Sequence, residues 1–219
     1  MLVNTLQAVI FDMDGLLVDS EPFWQQAEYA VFSSLGVTLT PADCQQTIGW
    51  RCDDVVRFWH AKDPWPALNV EQVSNDIIDQ VIMLLRQHGS LLPGALQALE
   101  RCKQQQKAIA LATSSAERLM HSVLEHFAIS RYFTACCSAQ HLPLAKPHPQ
   151  VYLNAAAALN CPPQQCLALE DSVTGMIAAK AARMRCYVVP ASSHFTDPKF
   201  ALADKKLTSL LELTDLDLC

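Results

Sequence analysis

The sequence predicts an α/β fold: a parallel sheet with helices on both faces, carrying an all-helical insertion near its start. Three observations predict it. Short apolar runs at Ala8–Phe11, Ala108–Ala112, Thr134–Cys137, Cys166–Leu169 and Cys186–Val189 alternate with helical patterns from Leu91 onward, and such alternation calls for a parallel sheet with right-handed crossovers. Between Glu21 and His88 helical patterns follow one another with no convincing strand. Two of the strand runs end in paired carboxylates, Asp12 with Asp14 and Glu170 with Asp171. In open α/β sheets chemistry gathers at the carboxyl ends of strands.

Taken in order, Val9 and Ile10 favour a buried strand, and Gly15 permits a sharp exit from it. Asp12 and Asp14, two apart on nearly extended backbone, face one small volume. Ser20-Glu21-Pro22 reads as a helix start with a capping hydroxyl, and the helix runs to about Leu35 before Gly36. Further helices are expected near Thr40-Pro41, from Asp53 to Lys62 and from Val70 to Gln87. Pro93-Gly94 opens the alternating segment. Pro190–Asp204 reads as a loop, and an apolar run near Leu207–Leu213 closes the chain. The simplest organisation is a core domain of residues 1–17 and 91–219, with 18–90 inserted as a helical cap. Leu16–Asp19 and Gly89–Leu92 would then be the hinge, two linkers that let the cap act as a lid.

Half of the 219 residues are apolar and 17% are charged, the profile of a folded soluble chain with a full core. A formal charge of −6 argues against bulk attraction to nucleic acid or an anionic membrane. No apolar run reaches the length of a membrane span, and the first twenty residues read as a carboxylate-bearing strand instead of a signal peptide. The nine cysteines are odd in number and contain no Cys-x-x-Cys pair. They read as reduced core fillers, which places the expected compartment in the cytoplasm.

Four strand ends carry candidate chemistry. Crowded carboxylates favour a hard divalent cation, and Mg²⁺ suits such oxygen ligands near phosphate. Thr113-Ser114-Ser115 puts three hydroxyls at a strand–helix junction, where they serve either to cap the helix or to cradle phosphate. Lys146, beside Pro147, is a point charge in a stiff segment, able to neutralise a phosphoryl oxygen and an aspartate together.

In this order, Asp12-Met13-Asp14-Gly15, Thr113, Lys146-Pro147 and Glu170-Asp171 resemble the four signatures of the haloacid dehalogenase superfamily, over nearly the whole chain. The resemblance implies a Rossmann-like core with a helical cap, similar to bacterial sugar-phosphate phosphatases of the 2-deoxyglucose-6-phosphate or hexitol phosphatase type. Asp12 would be the nucleophile and Asp14 the general acid and base. Thr113, Ser114 and Lys146 would hold the phosphoryl oxygens, and Asp12, Asp14, Glu170 and Asp171 would bind Mg²⁺. The implied partner is a small phosphorylated sugar or polyol, on a protein expected to be a monomer. Gly49-Trp50-Arg51 resembles a substrate-recognition loop, so Trp24, Trp50 and Arg51, with Gly15 and Ser115, are expected to contact substrate, while Trp59 and Trp65 are assigned to the cap core. Asp14 argues against a carbon–halogen substrate, because dehalogenases of this fold lack an acid there. The alternatives are a β-phosphoglucomutase-like mutase, in which a cap histidine would stand at the place of Trp24, and a phospho-acceptor signalling domain.

Overall fold

The computed structural model describes residues 5–219. Six parallel strands form one sheet in the order β3-β2-β1-β4-β5-β6. They are β1 (Ala8–Phe11), β2 (Ala108–Thr113), β3 (Ala135–Ser138), β4 (Cys166–Glu170), β5 (Arg185–Val188) and β6 (Lys205–Lys206). The helices are α1 (Glu21–Ser34), α2 (Pro41–Cys44), α3 (Cys52–Lys62), α4 (Val70–His88), α5 (Ala95–Gln104), α6 (Glu117–His126), α7 (Gln150–Ala158) and α8 (Val173–Ala181). Strand β6 was not foreseen. It is two lysines long and pairs through Tyr187↔Lys205 and Val188↔Lys206, so no apolar run announces it.

Alternation along the strands makes the two sheet faces unlike. Val9, Phe11, Ile109, Leu111, Leu167 and Leu169 face one side, where they pack with Leu99 of α5 and Leu119 and Val123 of α6. Ala8, Ala110, Ala112, Ala168 and Cys186 face the other, against Ala155 and Ala156 of α7 and Ala178 and Ala179 of α8. Small residues on both partners let these helices lie close to the sheet.

Helices α1–α4 form a layer inserted between β1 and α5. Helix α4 is its spine, packing on α1 and α3 within the layer and on α6 of the sheet domain. Val31, Phe32, Trp59 and Leu85 belong to the same continuous apolar cluster as Phe11 and Leu119, so the layer shares a core with the bulky sheet face. The two crossings between layer and sheet pair with each other. Asp19 N–H donates to Ser90 O (3.1 Å), Leu92 N–H donates to Leu17 O (2.9 Å), and Val18 bridges Leu91.

Helix starts show where local reading succeeds. Thr40 and Asp43 form a capping box at α2. Ser20 precedes α1 as expected, but its hydroxyl caps nothing and donates to Asp14 instead.

Candidate active site

The carboxyl ends of β1, β2 and β4 meet beneath the helical layer and enclose a cavity. Its floor holds Asp12, Asp14, Thr113, Ser114, Lys146 and Asp171. Lys146 is the hub of that floor. Its ammonium donates to Asp12 Oδ1 (2.6 Å), Glu170 Oε1 (2.6 Å) and Ala112 O (2.9 Å), which uses all three of its protons. Burial opposes the charge on Lys146, but the two carboxylates outweigh it and hold the ammonium protonated well above its usual range.

Glu170 is fully buried and saturated. Oε1 accepts from Lys146 and from the Tyr152 hydroxyl (2.6 Å), while Oε2 accepts from the Ser172 hydroxyl (3.0 Å) and from the N–H groups of Asp171 (3.2 Å) and Ser172 (3.3 Å). The first turn of α8 lies so close that a Cβ on Gly175 would sit 1.9 Å from Glu170 Oε1. Glu170 does not line the cavity, whereas Asp171 does. At Gly15, φ is +71° and a Cβ would fall 2.2 Å from Asp171 Oδ2, so glycine serves both the turn and the space Asp171 occupies.

Carboxylate oxygens of Asp12, Glu170 and Asp171 lie within 4.8 Å of one another. Burial, only partly offset by Lys146, pushes the Asp12 carboxyl up to about 7, with Glu170 and Asp14 adding to the rise. Burial and then Glu170 and Asp12 drive Asp171 well above the ordinary carboxylate range. An all-oxygen set with more negative charge than one lysine offsets fits a hard divalent ion such as Mg²⁺.

Asp14 is held by three neutral donors from two parts of the chain, the start of α1 and the segment after β2. Ser20 Oγ (2.7 Å) and Trp24 Nε1 (3.1 Å) donate to Oδ1, and Ser115 Oγ donates to Oδ2 (2.7 Å). Trp24 and Ser115, expected to touch substrate, thus also orient Asp14. Thr113 Oγ1 accepts from the Ser115 N–H (3.0 Å), and Ser114 Oγ is buried in the cavity wall with no partner. Helix α6 begins only at Glu117 without a side-chain cap, so none of the three hydroxyls is spent on capping.

The opposite wall comes from the helical layer. Trp24 and Trp50 line it, and Trp59 and Trp65 are buried in the layer's core. At Gly49 (φ +76°) a Cβ would lie 2.9 Å from Thr174 Oγ1 and 3.2 Å from Ser172 Cβ, so the loop before Trp50 touches the start of α8. Arg51 is not brought to the cavity. Its guanidinium pairs with Asp53 and donates to the backbone carbonyls of Ala139 (3.1 Å) and Leu142 (2.7 Å), fastening the helical layer to the loop after β3. Sequence reasoning missed Tyr152 and the α1 residues Glu21, Gln25 and Glu28, all three of which line the cavity. The only available signal was the 21, 25, 28 spacing, one face of a helix.

Asp12, Asp14, Thr113, Ser114, Lys146 and Asp171 thus share one cavity under a helical layer, with Glu170 buried behind it. The chain belongs to the haloacid dehalogenase-like hydrolase family, which it matches over residues 9–189. It is 49% identical over 212 residues to hexitol phosphatase B of Escherichia coli (strain K12), covering 96% of each chain. CbbY from Rhodobacter sphaeroides, solved as a mutant with xylulose-(1,5)bisphosphate, superposes with a TM-score of 0.87 at 25% identity, over 95% of this chain and 96% of that one. A β-phosphoglucomutase from Clostridium difficile shares the fold, with a TM-score of 0.85 at 22% identity over 98% and 96% of the two chains. The protein is therefore an enzyme of a hydrolase family. Among the described residues no helix is long and apolar enough to cross a membrane.

Proposed function

We propose that the chain is a Mg²⁺-dependent phosphatase of small sugar or sugar-alcohol phosphates, acting through an aspartyl-phosphate on Asp12. The observation that carries this reading is the buried Lys146 holding one oxygen of Asp12 at 2.6 Å on the floor of a cavity shared with Asp14. Similarity to hexitol phosphatase B supports the sugar-alcohol class.

In the first step Asp12 attacks phosphorus, a P–O bond to Asp12 forms, and the ester P–O bond breaks. The leaving alkoxide takes its proton from Asp14. In the second step water attacks the aspartyl-phosphate, Asp14 takes its proton, and Asp12 is released with inorganic phosphate. The charge of Lys146, the unpartnered Ser114 hydroxyl and Thr113 would stabilise charge growing on the phosphoryl oxygens. Ser20, Trp24 and Ser115 hold Asp14 in line for both transfers. Asp12, Asp171 and the Asp14 backbone carbonyl would hold Mg²⁺, with Glu170, already saturated, orienting Lys146 and the start of α8. When bound, the ion offsets repulsion between the Asp12 carboxylate and the phosphate dianion.

Residues 18–90 act in this proposal as a cap that moves on the paired Leu16–Asp19 and Gly89–Leu92 segments, with Arg51 as a clasp for the closed position. The mutase alternative would want a histidine at Trp24, and the indole there instead donates to Asp14.

Phosphate release from a panel of sugar, hexitol and glycolytic phosphates, with Mg²⁺ and with a chelator, tests the reading. Asp12→Asn is expected to lose at least about a thousandfold in kcat with an unchanged circular dichroism spectrum. Wild-type-like turnover in that variant would refute the covalent route, and interconversion of hexose phosphates without free phosphate would establish the mutase.

A further inference from the structure

The cavity wall made by α1 is unlike a wall built to meet phosphate. Glu21, Gln25 and Glu28 share one face of that helix and line the cavity. Gln25 Nε2 donates to Glu21 Oε1 at 3.0 Å, so this pair is partly satisfied. Glu28 is only 8% exposed, and its Oε2 has no hydrogen-bond partner. A buried carboxylate oxygen without a donor is costly, and on a cavity wall a bound molecule can supply the missing donor. Burial pushes the Glu28 carboxyl up to about 7, despite the Cys44 thiol beside it and with Glu21 adding to the rise. Hydroxyl donors from a bound molecule would bring it back down by favouring the carboxylate.

Charge around the cavity points the same way. Among the described residues its charged lining is Asp12, Asp14, Asp171, Glu21, Glu28 and Lys146. The single cation is already bound to Asp12, Glu170 and Ala112 O at the floor. Arg51, the basic residue nearest in sequence to the Gly49-Trp50 wall, is turned to the carbonyls of Ala139 and Leu142. A second anion on the substrate's leaving group would thus meet carboxylates with no partner to neutralise it.

We infer that Glu28, with Gln25 and Glu21 on the same face of α1, accepts hydrogen bonds from hydroxyls of the leaving group. This wall selects monoesters of neutral polyols and rejects esters whose leaving group carries a second anion. The inference rests on the phosphatase reading above and names its substrate class.

The test compares sorbitol 6-phosphate with 6-phosphogluconate, whose carbon chains differ in one terminal hydroxymethyl replaced by a carboxylate, with p-nitrophenyl phosphate as a substrate lacking hydroxyls. All assays contain Mg²⁺. Wild type is expected to favour sorbitol 6-phosphate over 6-phosphogluconate by about 100-fold or more in kcat/KM. Glu28→Gln should narrow that preference by about tenfold, chiefly through a higher KM for sorbitol 6-phosphate, and should lower its kcat/KM relative to that for p-nitrophenyl phosphate. Equal wild-type kcat/KM values for the two sugar-derived substrates would overturn the inference without touching the phosphatase reading, as would a preference that Glu28→Gln leaves unaltered. Failure of wild type to release phosphate from any of the three would overturn the phosphatase reading and the subsite with it.

Discussion

The Lys146–Glu170 network under the cavity floor and Glu28 on its α1 wall are both acidic and both buried, yet they are built on opposite principles. In the network every oxygen of Glu170 and every proton of Lys146 is engaged. On the wall Glu28 Oε2 is engaged by nothing. A saturated network is rigid and holds its reacting groups in place before substrate arrives, whereas an unsatisfied carboxylate stores a cost that a ligand can relieve. The comparison separates catalysis, which needs fixed geometry, from recognition, which gains from a vacancy for donors.

Substitutions on the two sides should therefore move stability in opposite directions. Lys146→Met leaves Asp12 and Glu170 buried without their shared cation, and urea unfolding should show a loss of about 3–5 kcal/mol together with loss of turnover. A stability within about 1 kcal/mol of wild type would show that the floor is not the tight network its distances describe. Glu28→Gln should do the reverse. Because burial raises the Glu28 carboxyl from 4.5 to about 7, its ionisation penalises the native state. That penalty is absent below about pH 4.5, grows as pH rises, and is complete above about 7. The variant should match wild type near the lower end of that window and exceed it at pH 8 by about 2–3 kcal/mol. Equal stabilities at pH 8 would remove the contrast.

A milder cut at the floor sharpens it. Tyr152→Phe deletes one donor to Glu170 Oε1 while keeping the ring that lies 5.0 Å from the Lys146 ammonium, and should cost about 1–3 kcal/mol in thermal or urea unfolding. Asp217, far along the chain from both sides, gives the reference for an ordinary ion pair. Burial opposes its ionisation, but hydrogen bonds from Lys205 and Thr214 prevail and hold its carboxyl at about 2. Asp217→Asn should lose about 1 kcal/mol at neutral pH without changing KM, since Lys205 is partly solvated. For a depressed carboxyl that contribution is present above the ordinary value of 3.8 and disappears as pH falls toward about 2. Acid melts in which wild type and variant fail to converge there would contradict the assignment.

The contrast also explains what could be read in advance. Asp12, Asp14, Thr113, Glu170 and Asp171 stand directly after or at the ends of apolar strand runs, and a parallel sheet brings the carboxyl ends of adjacent strands together whatever the loops do. Lys146 was legible only through the order of the four signatures, since a lysine between loop prolines taken alone reads as a solvated side chain. Tyr152 was not, because in α7 its spacing with Val151, Ala155 and Ala156 is that of an ordinary core helix, and only the packing of α7 on the sheet directs its hydroxyl to Glu170. Arg51 was placed at the substrate on its position beside Trp50, but a long flexible side chain goes to the strongest acceptors within reach, here Asp53 and two backbone carbonyls. The Ser20 hydroxyl likewise left its cap for Asp14.

By itself the sequence determined five of the six strands, the helices and the acidic strand ends, since these depend on local periodicity and on rules of chain topology that hold for any packing. The tertiary structure decided which groups are saturated and which are left wanting. Glu28 Oε2 is left without a partner, Glu170 is saturated and Arg51 is drawn to two backbone carbonyls because hydrogen-bond satisfaction is set by neighbours brought from distant parts of the chain, and no window of sequence contains those neighbours.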